Sequence, residues 1–329
     1  MSSESVKSAS ILICTRNGGD RIHILLDSLQ RLILPEGLER CEILVVDNGS
    51  TDHTGTVLKD HQNRASHIVL RTLEEPRPGK NIALNTGVAA CRGDLILMTD
   101  DDAALDRNWL LAYHDAACRH PEAGYFFGKI RVKLPFTPPD WWDRLTPRSL
   151  SGRDQGNVTL RFDRPDDWEG DMVGVNIAAL SRILRTFRFD PRLGVSPLSG
   201  FAGTGDTEMG RRIRRHGYPA YYVPDASVLH HIQPQRLSTR YLLRRKFRIG
   251  RPTAYLDTGF VPSERLPSMG PVFGRLLRAG WCCLGSLFRD EPVEKRRYAF
   301  MVSKLLGQLT EHAIFQHTNR KLYARLARL

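Results

Sequence analysis

The stretch Asp94-Leu95-Ile96-Leu97-Met98-Thr99-Asp100-Asp101-Asp102 joins a short, unbroken apolar run to three consecutive carboxylates. A run of this kind reads as a strand buried on both faces, as in a parallel sheet covered by helices. Three runs upstream share the character: Ala9 to Thr15 (ASILICT), Cys41 to Val46 (CEILVV) and His67 to Thr72. Between them, Arg21 to Leu32 carries apolar residues at helical spacing, and Asn81 to Ala90 reads as a further helix. Strands alternating with helices predict an α/β fold built on a doubly wound, mostly parallel sheet. Ligands gather at the carboxyl ends of the strands in such sheets. This chain places polar clusters there: Thr15-Arg16-Asn17, Asp47-Asn48-Gly49-Ser50 and Asp100-Asp101-Asp102.

The 329 residues allow one large domain, or one domain with an appendage, and 41% apolar residues suffice for a sizeable core. No window approaches the roughly 20 apolar residues of a spanning helix, and the apolar run Ala279 to Phe288 is about half that. The start, Met1 to Ser10, lacks the apolar centre of a secretory signal, so a cytoplasmic location is expected. Cys14, Cys41, Cys91, Cys118, Cys282 and Cys283 show neither a C-x-x-C pair nor a zinc spacing, and read as reduced thiols without a role.

Three carboxylates at a strand end repel one another and are costly without a cation. Hard oxygen ligands at this density suit Mg²⁺ or Mn²⁺, ions that commonly also hold substrate phosphates. The plainer alternative is a solvated acidic turn capping a helix that starts near Asp106. In Asp47-Asn48-Gly49-Ser50-Thr51-Asp52 the carboxylate can accept a hydrogen bond from a base N–H, while Ser50 or Thr51 can cap the following helix.

Taken in order, these motifs resemble the family 2 glycosyltransferases of the GT-A fold. The resemblance rests on Ile11-Leu12-Ile13-Cys14-Thr15-Arg16-Asn17, Leu44 to Asp52, Gly79-Lys80-Asn81-Ile82-Ala83-Leu84-Asn85-Thr86-Gly87 and Gly93 to Asp102, where Asp100-Asp101-Asp102 stands at the DXD motif. Gly174-Val175-Asn176, Phe189 to Gly194, Gly205-Asp206-Thr207-Glu208 and Tyr222-Val223-Pro224-Asp225 complete it, over roughly residues 8 to 250.

The resemblance implies an inverting, metal-dependent transfer of a sugar from a nucleotide-diphospho-sugar donor to an acceptor hydroxyl, in the synthesis of a polysaccharide, glycolipid or other glycan. It implies that Thr15 and Asp47 contact the nucleotide base, Asp47 favouring a uracil-type N–H and hence a UDP-sugar. Arg16 and Asn17 share that donor-binding turn, and Lys80 stands near the base or the phosphate. Asp100 and Asp101 would hold the ribose and order the loop, with Asp102 the foremost ligand of Mn²⁺ or Mg²⁺ and Asp100 beside it. Asp206 would be the general base. Where the family commonly reads Glu-Asp, Gly205 precedes Asp206 here, and Glu208 is the reserve base. A histidine after the last strand completes the metal site in some relatives, which points to His230 or, next to it, His231.

Charge divides the chain. From Arg236 to Leu329 there are 19 Lys and Arg against 6 Asp and Glu, while the whole chain is only +12. Val272 to Phe288 places Phe273, Leu276, Leu277, Trp281, Leu284 and Phe288 on one helical face, with Arg275, Arg278, Ser286 and Arg289 away from it. Tyr298, Met301, Val302, Leu305, Leu309 and Ala313 form a second stripe. Basic amphipathic helices with Trp and Phe suit an anionic membrane surface, and equally suit packing on a catalytic domain with solvated arginines. A lipid-linked or glycan acceptor fits peripheral attachment to the membrane's cytoplasmic face. Nucleic acid is the weaker partner, since no recognised binding module is present.

The expected organisation is a catalytic domain over residues 1–235, its donor half about 8–133 and its acceptor half about 134–235, followed by a basic helical region over 236–329. Leu134 to Trp168 reads as a substrate-covering loop, Asp206 to His216 as a helix, and Tyr218 to Val223 and Ser227 to His231 as strands. Two rivals stand beside this reading. One is a sugar nucleotidyltransferase, which would want a Gly-rich basic loop where Cys14 to Gly19 stands. The other is an inactive GT-A-like adaptor that binds membrane or polyanion through its tail.

Overall fold

The computed structural model describes residues 6–64, 67–137, 150–194, 203–256, 270–287 and 292–317. In chain order the elements are β1 (Ser8–Thr15), α1 (Ile22–Leu29), β2 (Arg40–Asp47), α2 (Thr54–Gln62), β3 (Val69–Glu74), α3 (Lys80–Ala90) and β4 (Leu95–Asp100). Next come β5 (Ala103–Leu105), α4 (Trp109–Arg119), β6 (Tyr125–Lys133), β7 (Leu160–Phe162), β8 (Asn176–Leu180), α5 (Ser181–Thr186), α6 (Gly205–Arg215) and β9 (Ala220–His231). The tail supplies α7 (Thr239–Leu256), α8 (Gly270–Leu287) and α9 (Pro292–His317).

The strands form one mixed sheet in the order β3-β2-β1-β4-β8-β6-β9-β5, with β7 on β9. Its first four strands are parallel, and their registers set Thr15 beside Asp47, Cys14 beside Asp100, and Asp47 beside Glu74. The apolar residues of β1, β2 and β4 are almost fully buried, as unbroken runs require. Beyond β4 the sheet turns mixed: β8 runs antiparallel to β4 and β6, while β6 and β9 run parallel. The two strands expected over 218–231 are one strand, with a register shift opposite Gly128. Buried Asn176 joins this half: Trp109 Nε1 and Tyr113 Oη donate to its Oδ1, both at 2.7 Å, and its Nδ2 donates to the carbonyls of Lys129 and Ala226.

Met1–Lys133, Leu150–Pro191 and Gly205–His231 define one compact unit; Leu134–Ser149, Arg192–Thr204 and Ile232–Leu329 define a second. In the second, α9 packs on both α7 and α8. Helices α7 and α9 cross closely because Gly250 abuts the Lys304 backbone and Gly307 abuts that of Phe247, where a Cβ would collide. Helix α8 spans the expected segment, but Leu276 is half-buried, and Phe288 lies outside the described residues. The segment expected as a covering loop holds β7 and a short 3₁₀ turn at Trp168–Gly170; residues 138–149 lie outside the described ones.

Candidate functional site

The parallel strand ends place a hydrogen-bonded shelf at one edge of the sheet. Thr15 is buried, and its Oγ1 donates to Asp101 Oδ2 at 2.6 Å. Arg21 donates from Nε to Asp101 Oδ1 at 2.9 Å and from Nη2 to Oδ2 at 2.7 Å. The same guanidinium holds the carbonyls of Asn17 and Arg16, at 2.5 and 3.1 Å. Burial pushes the Asp101 carboxyl up, opposed by Arg21 and by the Thr15 hydroxyl. Gly18 has no room for a Cβ between Thr15 and Asp101. Asp101 therefore orders the loop, with both oxygens already engaged by the protein.

Asn17 sits at φ 50 and ties this loop to the next: its N–H donates to Ser50 Oγ, and its Oδ1 accepts from the Thr51 amide at 2.8 Å. Asp47 Oδ1 accepts from the Ser50 amide at 2.9 Å. The expected cap of α2 is displaced: Ser50 serves Asn17, and Asp52 accepts from the Thr54 amide at 3.0 Å instead. The structure thus gathers Thr15, Arg16, Asn17 and Asp47 on one shelf.

Asp102 and His230 meet because β5 pairs antiparallel with β9, Ala103 opposite His230, and the His231 amide donates to the Asp102 carbonyl at 2.8 Å. Their buried side chains lie with Asp102 Oδ1 3.3 Å from His230 Nε2. His230 Nδ1 lies 3.0 Å from the Leu150 carbonyl. A carbonyl can only accept, so we assign the neutral ring's proton to Nδ1. Its Nε2 lone pair then faces a carboxylate oxygen, a repulsive pairing at this distance unless a proton or a cation lies between. An imidazole nitrogen and a carboxylate oxygen suit Mn²⁺, so these two residues fit the implied metal. Among the described residues no group of three or more His, Cys, Asp or Glu converges, so further ligands would come from phosphate oxygens or water. Of the two candidate histidines, His230 is the one that faces Asp102.

Lys80 opens α3 directly after Gly79, whose φ of 146 suits glycine. Asn48 shapes this entry: its Nδ2 donates to the carbonyls of Glu75 and Arg77 at 2.8 and 2.7 Å, and its Oδ1 accepts from the Gly79 amide at 2.8 Å. Lys80 Nζ forms an ion pair with Asp100. Burial works against the Lys80 charge, but Asp100 and Asp206 outweigh it and hold the ammonium above its ordinary range.

Asp206 stands in the first turn of α6. The Gly174 amide donates to its Oδ2 at 2.7 Å, and the Thr207 amide to its Oδ1 at 2.9 Å. A Cβ at Gly174 would lie 3.3 Å from Asp206 Oδ2 and 3.6 Å from Lys80 Nζ, so one glycine separates base candidate from cation. Burial raises the Asp206 carboxyl above its ordinary value, against the Gly174 amide and Lys80. Glu208 is engaged elsewhere, accepting from Arg212 Nε at 2.8 Å and Nη2 at 3.1 Å. The glycine before Asp206 has a steric cause. A Cβ at Gly205 would strike the Asn81 carboxamide, whose Nδ2 donates to the Asp190 carbonyl at 2.7 Å.

Sequence reasoning gave no role to Arg21, Asn48, Asn81 or Asn85. The last two lie one turn apart on α3 and fasten the Phe189–Asp190 segment, Asn85 by hydrogen bonds to both backbone groups of Phe189. That i, i+4 spacing within Gly79 to Gly87 was the available signal.

Residues 10–186 match the family model described as glycosyl transferase family 2. The probable glycosyltransferase YdaM of Bacillus subtilis is 30% identical over 125 residues, covering 37% of this chain but only 29% of its own length. Glycosyltransferase AglE of Haloferax volcanii is 27% identical over 309 residues, covering 83% of this chain and 91% of AglE. Among solved structures, the mannosyltransferase PcManGT of Pyrobaculum calidifontis, in complex with GDP-Man and Mn²⁺, superposes with a TM-score of 0.55. It is 19% identical and covers 92% of this chain and 86% of its own, a likeness of fold.

Proposed function

Because the chain belongs to glycosyl transferase family 2, we propose that it transfers a sugar from a nucleoside diphosphate donor to an acceptor hydroxyl with inversion. The observation that carries this is the Asp206 carboxylate, fixed by two backbone amides beside Lys80 and raised by burial toward the range useful to a base. Asp206 accepts the hydroxyl proton as the acceptor oxygen attacks the anomeric carbon. The bond from that carbon to the diphosphate breaks on the opposite face, and the configuration inverts. Lys80, shared with Asp100, stabilises negative charge as it builds on the diphosphate. A divalent cation held by Asp102 and His230 would supply further charge neutralisation for that leaving group, while Asp100 is paired with Lys80.

Asp47 and Thr15 take the base and the Arg16–Asn17 turn flanks it, Asp47 favouring a uracil N–H. The chemistry is assigned to residues 1–235. The basic region over 236–329 is assigned to peripheral attachment at an anionic membrane surface, where a lipid-linked or glycan acceptor is met. A thermal-shift panel of UDP- and GDP-sugars with and without Mn²⁺ tests the donor class. A true donor at a hundred times its Kd stabilises by about 2.7 kcal/mol, and only with the metal. A panel without any Mn²⁺-dependent shift overturns the proposal.

A further inference from the structure

Helix α8 is amphipathic in the outward sense. Phe273, Leu277, Trp281 and Leu284 are 52%, 61%, 79% and 58% exposed. At 3.6 residues per turn they fall within an arc of about 80°. On the opposite side Ala279 is buried, and Val272, Leu276 and Cys283 are half-buried. The helix thus spends its smaller apolar residues on packing and presents its largest ones outward. Arg278, exposed, lies about 60° beyond Trp281 around the helix, and exposed Arg275 lies about 60° further round.

Basic residues dominate this part of the chain, with 19 Lys and Arg against 6 Asp and Glu over 236–329. Helix α7 carries six arginines and lysines and α8 carries two, with no acid in either. Burial, with the nearby charges of Lys304 and Arg245 adding to it, lowers Lys246 of α7 to about 8. No described helix is long and apolar enough to cross a membrane. A protruding Trp, Phe and Leu edge with Arg278 beside it, in a basic region, matches the chemistry of an anionic lipid interface, where apolar side chains enter the acyl boundary and guanidinium groups meet the headgroups. Single exposed apolar residues are ordinary; four in one stripe, beside Arg278 and on an acid-free helix, are not.

The geometry points to the Phe273–Leu277–Trp281–Leu284 face of α8 as the edge that lies in an anionic bilayer surface, with Arg278 at headgroup level. This rests on the membrane-peripheral assignment above and specifies its contact face. Flotation of the full chain with phosphatidylcholine vesicles, with and without phosphatidylglycerol, tests it. The wild type floats with the phosphatidylglycerol vesicles, and less so at high salt. Leu277→Ser/Trp281→Ser lowers partitioning by roughly a hundredfold, from two lost apolar insertions. Arg278→Glu lowers it by roughly tenfold or more. Val69→Ser, at an exposed apolar residue of β3, leaves it unchanged. Added vesicles shift tryptophan emission to the blue in the wild type but not in Trp281→Phe, a readout that needs no disruptive substitution. Absence of any flotation overturns both the membrane assignment and this face, whereas flotation indifferent to the α8 substitutions overturns the face alone. A vesicle-free dimer that Leu277→Ser dissociates assigns the stripe to a second copy and also overturns the proposal. Transfer to a water-soluble acceptor is untouched by the α8 variants, which separates this test from that of the chemistry.

Discussion

His230 Nε2 and Asp102 Oδ1 face one another at 3.3 Å in a buried part of the site, with His230 Nδ1 fixed against the Leu150 carbonyl. For a neutral ring this pairing is repulsive, and a proton or a cation between the two atoms relieves it. His230→Gln is therefore expected to weaken Mn²⁺-dependent stabilisation by a nucleoside diphosphate by roughly 10–100-fold, the range for disturbing a metal's surroundings. Calorimetric titration of Mn²⁺ in the presence of UDP or GDP checks it. An unchanged Mn²⁺ dependence would make the pair a plain structural contact.

Arg21 is the largest single support of the strand-end shelf, with four hydrogen bonds from one guanidinium. Arg21→Met leaves the buried Asp101 without its cation, and removing one partner of such a pair costs about 3–5 kcal/mol. Urea unfolding of Arg21→Met measures the loss. Adding Asp101→Asn to the variant recovers part of it, because the stranded charge is gone.

Glu75 gives the protein an acid-side stability limit. The Arg77 guanidinium and the Thr86 hydroxyl hold its carboxyl down at about 2. A lowered folded-state pKa stabilises above the unfolded value near 4.5, and that contribution is lost as pH falls from there toward about 2. With Arg77 largely exposed, the contribution is about 2 kcal/mol at most. Denaturation midpoints from pH 6 down to pH 3 should fall less steeply for Glu75→Gln than for the wild type.

The parallel half of the sheet was legible because Ile11–Ile13, Leu44–Val46 and Leu95–Met98 are continuous apolar runs, a pattern only burial on both faces explains. Strand β6 was not. Its buried Tyr125–Phe127 run gives way across Gly128 to the alternation Lys129–Lys133, and neither period lasts long enough to announce itself. The shelf residues could be named from strand ends, but Asp102 meets His230 only through the pairing of β5 with β9, which sequence spacing does not encode. Gly205 was read as a departure at the base motif, and the space that Asn81 occupies is what demands it. The outward turn of Trp281 was equally hidden, since an apolar stripe is compatible with either side of a helix packing inward.

Asp206 is proposed to take the acceptor proton, and the variant that probes this role is Asp206→Asn. The substitution removes the base while keeping its size. One of the two amide hydrogen bonds to the carboxylate is lost, at a cost of about 1–3 kcal/mol that leaves the protein folded. Because burial raises the Asp206 carboxyl, wild-type kcat/KM should climb with pH as it deprotonates, and the variant should lack that limb. Steady-state transfer, measured with donor and Mn²⁺ binding on the same samples, is expected to show turnover reduced by roughly 10²–10⁴-fold with both affinities nearly unchanged. Near-normal turnover with an intact acid limb would contradict the account, since Glu208 is already held by Arg212 and offers no ready substitute.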